Sequence, residues 1–223
     1  ASARTDLVAT NPARLPGAGT DNVRDDVNEA AGLRRLPFSR QEAETIAALT
    51  PRHSRKVALD FDANRALAVS DELAQYQILH FATHGVINQS QPELSGLVFS
   101  RLDKQGTDQD GFLRAMDLYN LRLPAELIVL SGCRTALGKE VNGEGLIGLT
   151  RGFMYAGARR VLASLWQVND AATAALMKQF YQGVLQQKLT PAAALRAAQV
   201  AMWQSERWHA PYYWAPFVLQ GEW

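Results

Sequence analysis

The sequence predicts an α/β protein: a three-layer sandwich with helices on both faces of a mostly parallel sheet of about six strands. Three observations carry this. Runs such as Ile78-Leu79-His80-Phe81, Leu127-Ile128-Val129-Leu130-Ser131 and Arg160 to Trp166 are apolar and too short for core helices. They read as strands buried on both faces, and such strands belong to parallel sheets covered by helices. The runs alternate with segments of helical spacing from end to end. Finally, 223 residues with 47% hydrophobic and 20% charged side chains are enough for one sizeable core.

The elements follow in order. Asp6 to Thr10 reads as a short first strand, and Asn11 to Arg35, rich in Pro, Gly, Asn and Asp, as a flexible loop. Residues 1–36 are therefore assigned to an N-terminal strand and loop, within or leading into a domain over 37–223. Ser39-Arg40-Gln41-Glu42 has the form of a capping box, with Phe38 as its staple. The helix it opens carries Ala43, Ile46, Ala47 and Leu49 on one side and closes at Thr50-Pro51. A strand over Val57 to Phe61 and a helix over Asn64 to Leu73 precede the strand that runs to His84. Gly96 to Ser100 and Gly111 to Leu113 flank a Gly/Asp-rich turn and predict a small hairpin inserted before the central strand. Arg114 to Asn120 is a short helix. Beyond Cys133, Gly143 to Gly157 is helical in spacing, with Leu146, Ile147, Leu149, Phe153 and Met154 inward. Asp170 to Gln187 forms another helix, and Thr190-Pro191 pairs an N-cap with proline at the first position of a helix reaching Trp203. Phe217 to Gln220 closes the sheet.

A net charge of +1 gives no global field for nucleic acid or a membrane surface. One cysteine excludes an internal disulfide and fits a reducing, cytoplasmic setting. No apolar run reaches the ~20 residues of a membrane-spanning helix, and the N-terminus has no signal-peptide core. Without a starting Met, the chain reads as a segment of something longer.

The chemistry concentrates at two strand ends. Cys133 follows the Leu127–Ser131 run, and His84, followed by Gly85, ends the run from Gln77; the two lie 49 residues apart. Ligands and chemistry collect at the carboxyl ends of parallel strands, and a histidine about 50 residues upstream of a cysteine is the caspase arrangement. A thiol attacks a carbonyl as thiolate and needs an imidazole or positive electrostatics nearby. Gly85 lets a backbone N–H approach a substrate oxyanion, and with the N–H of Cys133 it forms a two-donor oxyanion hole.

Ordinary readings compete with these. A lone cysteine after an apolar strand is more often a small buried residue than a nucleophile, and a lone histidine there is more often structural. Their coincidence reverses that weighting. His80, inside its strand, reads as a hydrogen-bonded core histidine. His80 and His84 share a strand face but lack the helical spacing of a His-Glu-x-x-His zinc site and any further ligands, so no metal is assigned. Gly138 to Gly145 resembles a phosphate loop with its lysine misplaced, and reads better as a loop opening a helix with Glu144 in its first turn. No cofactor is implied.

With these residues in hand, the chain resembles the CHAT domain family, in the caspase-like clan of cysteine peptidases with separase, clostripain and the caspases. The matching stretches are His80-Phe81-Ala82-Thr83-His84-Gly85, Leu130 to Gly138, Gly143 to Leu146, Ala163 to Asp170, and Tyr213-Trp214-Ala215-Pro216-Phe217. They run from about Pro37 to the C-terminus. The resemblance implies a caspase-like fold, with Cys133 as nucleophile and His84 as general acid/base. It also implies a domain that ends a longer chain, whose upstream helical repeats bind or sense a partner. Relatives in bacterial defence cleave particular proteins once triggered.

In metacaspase-like relatives an acid for a basic P1 side chain lies two residues before the cysteine; here that S1 position is Ser131, which removes that route. Asp170 matches the acid that closes the Leu-Trp-x-Val-x-Asp motif of separase, and would receive a P1 Arg or Lys; its competing reading is a helix N-cap. Trp166 is a wall of the same cleft or a core residue. The short loop from Lys139 to Asn142 leaves little room for caspase-type maturation and predicts a single uncleaved chain. The expected function is a cysteine endopeptidase acting on a protein substrate after a basic residue. Its rivals are a non-catalytic interaction module of the same fold and a cysteine acyl hydrolase of small molecules.

Overall fold

The structure is a computed structural model describing residues 5–9, 36–88, 91–132, 144–166 and 168–222. The loop expected over Asn11 to Arg35 lies outside these residues.

Strand β1 (Thr5–Ala9) enters the sheet directly. Helix α1 (Pro37–Ala48) leads to β2 (Arg55–Ala58), and a short α2 (Arg65–Ala68) precedes β3 (Ile78–Ala82). Three short strands follow, β4 (His84–Val86), β5 (Gly96–Val98) and β6 (Phe112–Arg114), then α3 (Ala115–Leu118). The second half comprises β7 (Leu127–Leu130), α4 (Glu144–Tyr155), β8 (Arg160–Ser164), α5 (Asp170–Tyr181), α6 (Pro191–Trp203) and β9 (Phe217–Gly221). The main sheet has six strands in the order β2-β1-β3-β7-β8-β9. All pairs are parallel except β8 with β9. The predicted sandwich is therefore the observed fold. Strand β1 sits between β2 and β3, so Thr5–Ala9 belongs to the sheet.

Side chains alternate across the strands with a period of two, and this splits the core. Leu79, Phe81, Ile128, Leu130, Val161 and Ala163 pack one face with Leu118, Leu149 and Phe153 from α3 and α4. Ile78, Leu127, Val129 and Leu162 pack the other with Ile46, Leu176, Phe180, Ala194 and Ala198 from α1, α5 and α6. Every residue of β3 and β7 is buried, which is why these strands are apolar at every position except His80.

Three local expectations are corrected. Helix α1 starts at Pro37, with Leu36 as N-cap, two residues ahead of the expected capping box. Proline is preorganised for that first helical position, so Phe38 lies within the helix and the Ser39 hydroxyl donates back to the Leu36 carbonyl. Glu42 is then free to point inward, and is 2% exposed. The single helix expected over Asn64 to Leu73 is broken. Asn64 caps a four-residue turn, Ser70 donates its hydroxyl to the Leu67 carbonyl, and the chain resumes as a tighter turn over Asp71–Gln75. Finally, the helix from Asp170 ends at Tyr181 and passes into a wider turn over Gln182–Gln186.

Candidate active site

Three neighbouring parallel strands, β3, β7 and β8, lead toward the predicted residues. Phe81 pairs with Leu130, and Leu130 with Ala163, so these three residues form one rung. His84, Cys133 and Trp166 are each the third residue beyond that rung. The β3–β7 ladder outlasts the strands: the Ser131 amide donates to the Phe81 carbonyl at 3.2 Å. At the next step, a Cβ on Gly132 would stand 2.3 Å from the Thr83 carbonyl oxygen. Only glycine allows this approach. Cys133, its backbone N–H, and the loop from Lys139 to Asn142 lie outside the described residues.

His84 is not carried on the parallel strand itself, as the sequence had suggested. Strand β3 ends at Ala82, Thr83 forms a bend, and His84 opens β4 in a separate antiparallel sheet of order β4-β5-β6. This sheet is the predicted hairpin with one further strand. His84 pairs with Val98 and Gly85 with Leu97. The Thr83 hydroxyl donates to the Val98 carbonyl and fixes the corner. The histidine's main chain is thus set by cross-strand pairing, and its side chain is 1% exposed.

Ser131 takes a different place from a substrate-pocket wall. It is 1% exposed, and its Oγ lies 3.2 Å from Nε2 of His80. Glu42 Oε1 stands 2.7 Å from the same nitrogen, and the Tyr181 hydroxyl 3.0 Å from His80 Nδ1. His80 is therefore the hydrogen-bonded core histidine expected, with both ring nitrogens engaged. Burial, helped by the charge of Glu42, raises the Tyr181 phenol well above its ordinary value, so the phenol keeps its proton to donate. Sequence reasoning missed Glu42 and Tyr181. Glu42 sat in a string that reads as a capping box, and Tyr181 is 101 residues from His80, so no local pattern joins them.

Asp170 is half-buried at the first position of α5, one residue past the true N-cap, Asn169, whose side chain accepts from the Ala172 amide. Asp170 Oδ2 instead accepts a hydrogen bond from the Phe38 amide at 2.9 Å, in the first turn of α1. Burial raises its carboxyl above the ordinary value; the Phe38 amide opposes this, and the charge of Glu42 adds to it. Trp166 is 36% exposed and donates its indole N–H to the Tyr212 carbonyl at 3.3 Å.

Sheet order and the inserted antiparallel sheet define a caspase-like fold. Comparison with solved structures agrees. The separase–securin complex of Saccharomyces cerevisiae matches 99% of this chain and 12% of that one, at 14% identity and a TM-score of 0.53. Gingipain R, an Arg-specific cysteine proteinase, matches over 97% of this chain and 46% of its own, at 12% identity and a TM-score of 0.54. At such identities the likeness is one of fold. The chain belongs to the CHAT domain family, whose model matches residues 2–222. It is also similar to tetratricopeptide repeat protein 28, 40% identical over 109 residues in Mus musculus and 39% over 113 residues in Homo sapiens. These matches span about half of this chain and 4% of the length of those relatives. Among the described residues no helix is long and apolar enough to cross a membrane.

Proposed function

We propose that this domain is a cysteine endopeptidase that cleaves a protein substrate after a basic residue, with Cys133 as nucleophile and His84 as general acid/base. One observation carries the reading: both residues stand three positions beyond the same rung of adjacent parallel strands. The proton of the Cys133 thiol passes to His84, and the thiolate attacks the scissile carbonyl carbon. The oxyanion that forms is held by the backbone N–H groups of Gly85 and Cys133. The C–N bond breaks as His84 protonates the leaving amine, leaving a thioester. His84 then takes a proton from water, which attacks the thioester and releases the carboxylate and the thiol.

Asp170 supplies the negative charge for a P1 Arg or Lys, with Trp166 beside it. Two supports favour this assignment: its place after the strand next to the cysteine strand, and the Arg-specific relative of the same fold. Its bond to the Phe38 amide occupies one carboxylate oxygen and leaves the other for a guanidinium. Regulation by an upstream helical-repeat region or a partner protein is proposed from the likeness to a tetratricopeptide repeat protein many times longer. The burial of His84 gives the rival reading, a non-catalytic module of the same fold, its specific support.

Covalent labelling with a peptidyl-arginine chloromethyl ketone, read by intact mass, decides between them. Peptidase chemistry predicts one label per chain on Cys133, lost or slowed at least ~100-fold in His84→Ala. Labelling indifferent to His84→Ala would leave only a reactive thiol and overturn the dyad.

A further inference from the structure

The buried cluster beneath the site has no part in the chemistry above. Glu42, His80, Ser131 and Tyr181 are exposed by 2%, 0%, 1% and 0% respectively. A Ser, a His and a Glu in contact invite comparison with a second nucleophile triad, and the geometry excludes it. Ser131 and Glu42 both address Nε2, and Tyr181 addresses Nδ1. A triad needs the serine and the orienting carboxylate on opposite ring nitrogens. A carboxylate oxygen only accepts, so Nε2 carries the hydrogen and Nδ1, in the neutral ring, accepts from the Tyr181 phenol.

A buried Glu–His pair is a poor way to gain stability, because apolar residues of the same volume do as well or better. What such a set supplies is a fixed geometry, since each member must meet its partners at hydrogen-bond distance. Its location says which geometry. Side-chain alternation puts His80 and Ser131 on the sheet face covered by α1 and α5, which contribute Glu42 and Tyr181. Ser131 is two residues before Cys133, and His80 four before His84. The serine is gripped twice, by its amide on Phe81 and by its hydroxyl on His80. Gly132 then presses its backbone against Thr83.

We propose that Glu42 and His80, acting through Ser131, are positioning residues that fix the last residues of the β7 strand and so set where the Cys133 thiol stands relative to His84. This rests on the peptidase reading. Held by one rigid histidine, the two strand ends keep a common reference to both helices, and the dyad geometry is set before substrate arrives. A displacement of about 1 Å at a reacting centre is enough to cost about 100-fold in rate.

The test is the kinetics of the same peptidyl-arginine chloromethyl ketone on the full chain, comparing the unaltered protein with Ser131→Ala, Glu42→Gln and His84→Ala. Iodoacetamide serves as a probe of thiol exposure alone, and thermal melting of each variant is recorded. Ser131→Ala removes one oxygen, and Glu42→Gln keeps the shape, so both preserve the packing. Positioning predicts that both lower the maximal inactivation rate by about 10- to 100-fold. The half-saturating concentration of label stays within about twofold, and iodoacetamide still reacts. A role in stability alone would lower the melting temperature and leave the inactivation rate untouched. That result, alongside a strong effect of His84→Ala, overturns the positioning role while the dyad stands. An unaltered rate in His84→Ala removes the dyad itself, and the positioning role with it.

Discussion

His80 and His84 stand four residues apart and are equally inaccessible, at 0% and 1% exposure, yet different parts of the molecule hold them. His80 is fixed through its ring, by a glutamate, a serine and a tyrosine drawn from α1, the end of β7 and α5. His84 is fixed through its main chain, as the first residue of a strand paired with β5. The first arrangement ties the imidazole to the core. The second fixes the Cα–Cβ direction through cross-strand pairing, which suits the proton-transferring role proposed for it. Burial by itself does not separate the core histidine from the one proposed for the chemistry.

Stability measurements put the contrast to its hardest test. His80→Ala leaves a buried carboxylate and a buried phenol without their partner, and is expected to cost about 3–5 kcal/mol in denaturant unfolding. His84→Ala should cost about 1–2 kcal/mol, near the typical point mutation, while removing the His84-dependent labelling. Equal losses from the two substitutions would break the distinction.

The close approach of the strands sharpens it further. Gly132→Ala forces the β7 end away from Thr83, because the added methyl would overlap backbone that cannot rotate aside. A stability loss of about 1–3 kcal/mol is expected, with slower reaction of Cys133 toward the peptidyl label. Full reactivity in a destabilised protein would show that the approach of Gly132 to Thr83 does not set the dyad.

The smallest expected change concerns Asp170. A carboxyl raised by burial is held more easily protonated, so its contribution to stability is full at low pH and is lost as pH rises through its folded value. Asp170→Asn keeps an acceptor for the Phe38 amide and removes the cost of ionisation. Melting at neutral pH should stay equal or rise slightly, by less than about 1 kcal/mol, and the difference should vanish in acid. Affinity for the arginyl label should nonetheless fall by about tenfold or more. Unchanged affinity would take Asp170 out of the specificity pocket and leave it as the cap of α1.

The sequence by itself determined the layered α/β architecture, the run of elements and the likeness to the CHAT domain family. Doubly buried strands are apolar at nearly every position, and the cap at Thr190-Pro191 is written in adjacent residues. Strand order was not legible, because β1, β3 and β7 are neighbours through contacts between residues about 50 to 70 apart. Neither was the second sheet, in which a bend at Thr83 transfers His84 from one ladder to another. Glu42 shows the reason most clearly. Its local string fits a helix cap, and a one-turn cap was the best reading available from three neighbours. Pro37 moved the start of the helix, and with it the direction of the carboxylate, from the helix end to the face that meets His80. Local pattern sets which residues are helical and which are extended. The buried polar partners of each were decided by the packing of α1 and α5 against the sheet, where a charged group must find its counterpart or not be buried at all.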